Sequence, residues 1–197
     1  MKRIISIGGF ILIVMVISHS IATGANVPTL LKEKVGPDQQ TKYVAGRLTV
    51  ISTMTQQIVI APKIILVQPG ETLKLDVMIF NTGDAPLEFS MENLKAYSGR
   101  MELKFLTEEE MIEEIKQEYS ASKMKLNKAQ AKALEPFIEA KINILQGEIL
   151  RKQTIEPQGK VMGLAALKIP SGKKELTIEV KASKDTHRFN FNLVALQ

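Results

Sequence analysis

No cysteine occurs in the 197-residue chain. That absence excludes disulfides, thiolate nucleophiles and zinc-thiolate centres, and it leaves no thiol to carry a lipid at a processed N-terminus. The fold must therefore be held by packing. Histidine is almost missing too, with only His19 and His187. A Ser-His-Asp arrangement in a chain that had lost its leader would rest on His187 alone. The sequence contains no phosphate-cradling glycine loop and no dinucleotide fingerprint. Internal repeats and low-complexity tracts are absent as well. Together these gaps point away from an enzyme, and no cofactor is expected.

Charge of one sign is also in short supply. Lys and Arg number 26 against 21 Asp and Glu. Loss of Lys2 and Arg3 with a leader would leave 24 against 21, an excess spread along the chain and too weak to argue for nucleic acid. The 45% hydrophobic and 24% charged content is that of an ordinary globular protein.

What is present begins with the N-terminus. A basic "MKR" precedes the uncharged "IISIGGFILIVMVIS" and the small-residue "HSIATGA", the order of regions in a secretory signal. Residues 1–25 are read as a signal peptide, with cleavage expected after Ala22, Gly24 or Ala25. The alternative is an uncleaved anchor, since residues 4–25 would span ~33 Å as a helix. Either way the chain is expected to be exported: periplasmic or secreted, or held at the membrane by residues 4–25.

Residues 26–45 mix Pro, Gly and polar side chains without a period and read as a linker or arm. From Gly46 the signals are those of strands. "TLKLDVMIF" places Leu73, Leu75, Val77 and Ile79 on one face and Lys74 and Asp76 on the other. At Thr107 the period changes to 3.6. Thr107 with Glu110 forms a capping box, and Asn127 with Gln130 suggests a second. Met111, Ile112, Ile115 and Tyr119 line one helical stripe, and Leu134, Ile138, Ile142, Leu145 and Ile149 another, with Pro136 expected to kink or restart the second helix. After Lys152 about four more strands follow. The expected fold is mainly β: an immunoglobulin-like antiparallel β-sandwich over residues 46–197, with an inserted helical pair at 107–151.

Three residue groups invite a chemical reading. The helix carrying Glu108, Glu109, Glu110, Glu113, Glu114 and Glu118 lacks the Asp/Asn/Gly loop of a calcium site, so the first three are expected to favour the helix dipole and the others to face solvent or a basic neighbour. His187 shares strand parity with Phe189 and Phe191 and is expected as a hydrogen-bonded packing residue. Met54, Met78, Met91, Met101, Met111, Met124 and Met162 are scattered, which suits core filling and ordinary usage rather than a soft-metal site. No metal site is expected.

Two resemblances arise at particular residues. "ETLKLDVMIFNTGDAPLEFSMENLKAYSG", the "TEEEMIEEIK" helix and the tail with Thr154, Pro157, Gly159, Gly163, Pro170, His187, Phe189 and Phe191 resemble a group of uncharacterised exported bacterial proteins. In those an immunoglobulin-like sandwich carries a helical insertion, and the likeness implies a fold without implying an activity. "IAPKIILVQPGETLKLDVMIFNTGDAPL" is similar to the first domain of periplasmic pilus chaperones. There a basic residue early in the first strand grips a subunit's terminal carboxylate, and Lys63 would be its counterpart. Pro62, which cannot donate, marks Ile58–Val67 as an expected sheet edge. Pro62, Lys63 and Ile64 are thus the expected contacts for a partner, another envelope or secreted protein. The function expected is that of a non-enzymatic interaction or structural module of the cell envelope, the alternative being a periplasmic chaperone that binds a partner strand.

Overall fold

The computed structural model describes residues 29–67, 70–124, 126, 128–169 and 172–195. The expected leader, Asn127 and Pro170 lie outside them. The strands are β1 (Thr29–Lys34), β2 (Gln39–Val44), β3 (Arg47–Thr53), β4 (Gln57–Pro62), β5 (Leu66–Val67), β6 (Thr72–Phe80), β7 (Leu87–Phe89), β8 (Leu94–Ser98) and β9 (Met101–Leu103). Two helices follow, α1 (Glu108–Lys123) and α2 (Lys128–Glu148), then β10 (Gln153–Ile155), β11 (Lys160–Lys168), β12 (Glu175–Ala182) and β13 (Asp185–Ala195). The chain is mainly β, as the sequence implies.

Two antiparallel sheets dominate. One has the order β11-β6-β4-β3-β2, the other β5-β1-β13-β12-β8-β9, and β10 pairs with β7 in a small third ladder. The alternation in β6 holds throughout, with Leu73, Leu75, Val77 and Ile79 fully buried and Thr72, Lys74 and Asp76 on the opposite face. Both sheets supply one shared core, in which Val50, Ile58 and Ile60 meet Leu31, Ile178, Phe189 and Phe191. Fully burying each such side chain contributes about 1.5–3 kcal/mol, so this core carries a fold with no covalent staple.

Three expectations need correction. Residues 29–44 are not a linker: β1 pairs with β13 from Thr29↔Ala195 to Lys34↔Asn190, and β2 pairs with β3 from Gln39↔Ser52 to Val44↔Arg47. Their side chains are mostly polar and exposed, so main-chain bonds rather than apolar alternation make them strands. Nor is Ile58–Val67 one edge. β4 is interior, paired with β3 on one side and β6 on the other, and the chain then crosses to β5, an edge of the other sheet. Pro62 is tolerated because the pairing with β3 stops at Val50↔Ile60, two residues before it. Finally, of the kink or restart expected at Pro136 the restart does not occur, since α2 is one helix from Lys128 to Glu148.

The capping box forms as read: Glu110 N–H donates to Thr107 Oγ1 at 3.2 Å and Thr107 N–H to Glu110 Oε2 at 2.8 Å. Met111, Ile115 and Leu145 then pack with Leu164 and Ala166 of β11 in a second apolar cluster. This explains why "VMGLAAL" reads as a continuous apolar run. Ala165 and Leu167 face the core, Leu164 and Ala166 the helices, so the strand is buried on both sides. Of the methionines, Met111 and Met91 pack in the apolar clusters, while Met54, Met101, Met124 and Met162 are exposed.

The two ends of the helical insertion flank the same strand. Leu106 N–H donates to Ala166 O at 2.8 Å, and Leu150 N–H to Leu164 O at 3.1 Å. At each end one residue turns to the main core (Phe105, Leu150) and its neighbour to the helical cluster (Leu106, Ile149). Gly163 makes this possible: a Cβ there would lie 2.5 Å from Leu150 Cα. Backbone cannot yield as a flexible side chain does, so Gly163→Ala is expected to lower stability by about 3 kcal/mol. Urea denaturation measures this, and a loss under about 1 kcal/mol would refute the packing role.

Candidate functional site

Strand β4 ends at Pro62, and Lys63 N–H extends its ladder by one bond, to Lys74 O at 2.8 Å. Ile64 and Ile65 then cross toward β5 with their side chains 47% and 37% exposed. On one side of this crossover lies an open groove of roughly 500 Å³ between the outer face of the five-stranded sheet and α1. Lys63, Ile64, Thr72, Lys74, Glu114 and Lys168 are among its lining. On the other side Pro62, Lys63, Ile64 and Ile65 share a hollow of about 310 Å³ with Gly46, Arg47 and Leu48.

A chain of alternating charges crosses the region. Arg47 meets Asp76 at 2.6 Å, Asp76 meets Lys63 at 3.6 Å, and Lys63 meets Glu148 of α2 at 2.8 Å. Glu114 accepts from Thr72 Oγ1 at 2.8 Å and pairs with Lys168 at 3.1 Å. Most of these side chains are a quarter to a half exposed, where such pairs are worth about 0–1 kcal/mol. The apolar contacts on Leu164 and Ala166 therefore hold the helices, and the ion pairs add little to that hold. Lys63 is not a bare cation: two carboxylates already face it.

The six glutamates divide. Glu108 pairs with Arg151 at 3.2 Å, Glu110 with Lys104 at 2.8 Å and Glu118 with Lys141 at 2.9 Å. Lys104 and the Thr107 N–H hold the Glu110 carboxyl below its usual value, and the first-turn backbone with the Thr107 hydroxyl does the same for Glu109. Among the described residues no group of three or more His, Asp or Glu side chains is placed to hold a metal ion. Glu114 and Glu118 have the basic neighbours expected of them, Lys168 and Lys141, and they also line the groove. The signal was in the spacing: each lies three residues after a buried stripe residue, Met111 or Ile115, and so on the same flank of the helix.

His187 is fully buried, with Nδ1 3.0 Å from Ser52 Oγ and no partner for Nε2. The pair joins the two sheets, with Ser52 also lining an open hollow of about 210 Å³ beside Gln39, Met54 and Arg188. A second buried polar hub escaped the sequence reading. Asn81 donates through Nδ2 to Ala85 O and Ile155 O, both at 2.8 Å, while its main chain bonds Gly159 O and the Gln158 N–H. It ties the 81–86 turn to the 156–159 turn, in which Gln158 takes a left-handed φ of 61°.

Compared with protein-family models, curated proteins and solved structures, the chain matches none. Among the described residues no helix is long and apolar enough to cross a membrane. What stands is a mainly β chain of two antiparallel sheets, with a helical pair on the outer face of one.

Burial, opposed by Asp185, lowers the His187 pKa from its ordinary 6.5. Above pH 6.5 the imidazole is neutral folded or unfolded and contributes nothing to the pH dependence. Below 6.5 the unfolded chain takes up the proton first, so stability falls with pH, by at most about 1.4 kcal/mol per unit, until the folded value is passed. Denaturation of the native chain and of His187→Gln between pH 7.5 and 5 tests this. The variant is expected to show the shallower slope, and parallel curves would refute the assignment.

Proposed function

We propose that this chain is a non-enzymatic, exported protein-interaction module of the cell envelope, built on an immunoglobulin-like sandwich with a helical insertion. The observation that carries the reading is the placement of Ile64: an apolar side chain, half exposed, beside Lys63 at the mouth of an open groove. An aliphatic anchor flanked by charges that set orientation is how a protein surface recognises an extended or helical segment of a partner. The buried hydrogen-bonded contact of His187 with Ser52 supports a structural rather than a chemical use for the chain's one described histidine. The signal-like leader supports export to the periplasm or the exterior.

The chaperone reading also uses Lys63, but it requires the ammonium to exchange Glu148 for a subunit's carboxylate. The 2.8 Å pair with Glu148 favours the general interaction module. In that module Lys63 orients and Ile64 anchors.

A photo-crosslinker at position 64 is expected to yield a discrete adduct in intact cells, weakened by Lys63→Glu. The same group at Met162, which is 65% exposed, is expected to yield none. Equal labelling at both positions would refute the groove as an interaction site. Complete loss of the adduct in Lys63→Ala, with the fold intact, would instead identify the chaperone mode, because a merely orienting charge at an interface rim weakens binding modestly.

A further inference from the structure

On the outer face of the five-stranded sheet the charges fail to balance at one point. Pro62 stands opposite Leu75 in the ladder between β4 and β6, and the bond from Lys63 N–H to Lys74 O continues that ladder by one residue. Lys63 and Lys74 are therefore directly opposite each other. Like charges in that position destabilise a sheet unless carboxylates screen them. Arg47 of β3 adds a third cation, since it reaches the same carboxylate as Lys63, that of Asp76.

Two carboxylates answer these three cations. Asp76 is shared between Arg47 at 2.6 Å and Lys63 at 3.6 Å, and Glu148 meets Lys63 at 2.8 Å. Lys74 meets neither. Its side chain is half-buried, and among the described residues it has no ion pair, hydrogen bond or ring contact. The remaining charges of the groove do not help it. Glu114 is taken by Lys168 and Thr72, Glu118 by Lys141, and Glu71 forms no ion pair with Lys74. Of the three lysines that line the groove, Lys74 is thus the one left without a carboxylate, and Ile64 lines the same space.

We propose that the groove takes an acidic segment, in which a partner peptide sets a Glu or Asp side chain on Lys74 and an apolar side chain on Ile64. This rests on the reading of the groove as an interaction site and names the chemistry of what enters it. The incoming carboxylate is the third anion for the three cations, so it relieves the opposition of Lys63 and Lys74 as well as pairing Lys74. A ligand for Lys63 would have to displace Glu148, whereas a ligand for Lys74 displaces nothing. The contact stays partly open to water, where an ion pair adds little affinity. Its effect is selection by sign: an acidic segment is admitted, and a basic one meets an unscreened ammonium.

Two blocked peptides test this, acetyl-Gly-Leu-Glu-Leu-Gly-amide and its counterpart with Gln in place of Glu. Each is titrated into the full chain while the Lys74 side-chain resonance is followed by NMR. The Glu peptide is expected to bind about fivefold more tightly than the Gln peptide at low salt. The advantage should vanish in Lys74→Met and return in Lys74→Arg. Equal affinities in the native chain, an advantage that survives Lys74→Met, or no binding of either peptide would each overturn the proposal. So would acetate alone moving the resonance at the same concentrations, since the site would then take any small anion.

The free chain offers a second readout. Lys74→Met keeps the length of the side chain and removes the like charge, so its melting temperature is expected to rise. A lower one would show the ammonium already satisfied without a ligand, and would refute the proposal. The photo-adduct at position 64 separates this inference from the wider reading. An adduct that Lys74→Met leaves at full strength refutes the acidic segment and keeps the interaction site, whereas no adduct at all refutes both.

Discussion

The structure turns on the way one strand, β11, is enclosed. It lies at the end of the five-stranded sheet, where an exposed ladder and an apolar outer face would both invite aggregation. The helical insertion answers both at once. Its two ends bond to the Ala166 and Leu164 carbonyls, and its helices cover the Leu164 and Ala166 side chains. The enclosure requires Leu150 to pass against the backbone of β11, and Gly163 leaves the room for it. Without that contact the insertion would have no fixed place, and neither would the groove between α1 and the sheet.

The polar features follow from the apolar ones. Once Met111, Ile115 and Leu145 seat the helices, Glu114 falls beside Thr72 and Lys168, and Glu148 beside Lys63. These pairs are too exposed to fix the architecture. They decide which charges remain available around Ile64. Inside, the buried groups that have no water to turn to find each other. Asn81 joins two turns, and Ser52 meets His187 across the core. Such interior hydrogen bonds favour one arrangement of turns and sheets, because breaking one leaves a buried group unpaired at a cost of roughly 1–3 kcal/mol.

Some of this was legible in the sequence because the physics involved is local. Period-two alternation in β6, the shared parity of His187, Phe189 and Phe191 in β13 and the Thr107 capping box depend on neighbours within a few residues, and all form as read. The apolar stripes of the helices were legible for the same reason, as was the inward face of His187. The absence of cysteine settled that packing alone must hold the chain.

Only the tertiary structure decided the rest, because sheet membership and edges depend on partners distant in sequence. The strands β1 and β2 carry little apolar pattern, and β13 and β3 make them strands by main-chain pairing that no local signal announces. Pro62 suggested an edge because proline lacks a donor. Yet β3 stops pairing two residues before it, so the same missing donor fits the end of an interior strand. Whether Lys63 is a free cation likewise depends on Asp76 and Glu148, thirteen and eighty-five residues away. Local sequence sets which face of an element is apolar; long-range pairing sets which elements stand next to it, and so which charges and edges are left open.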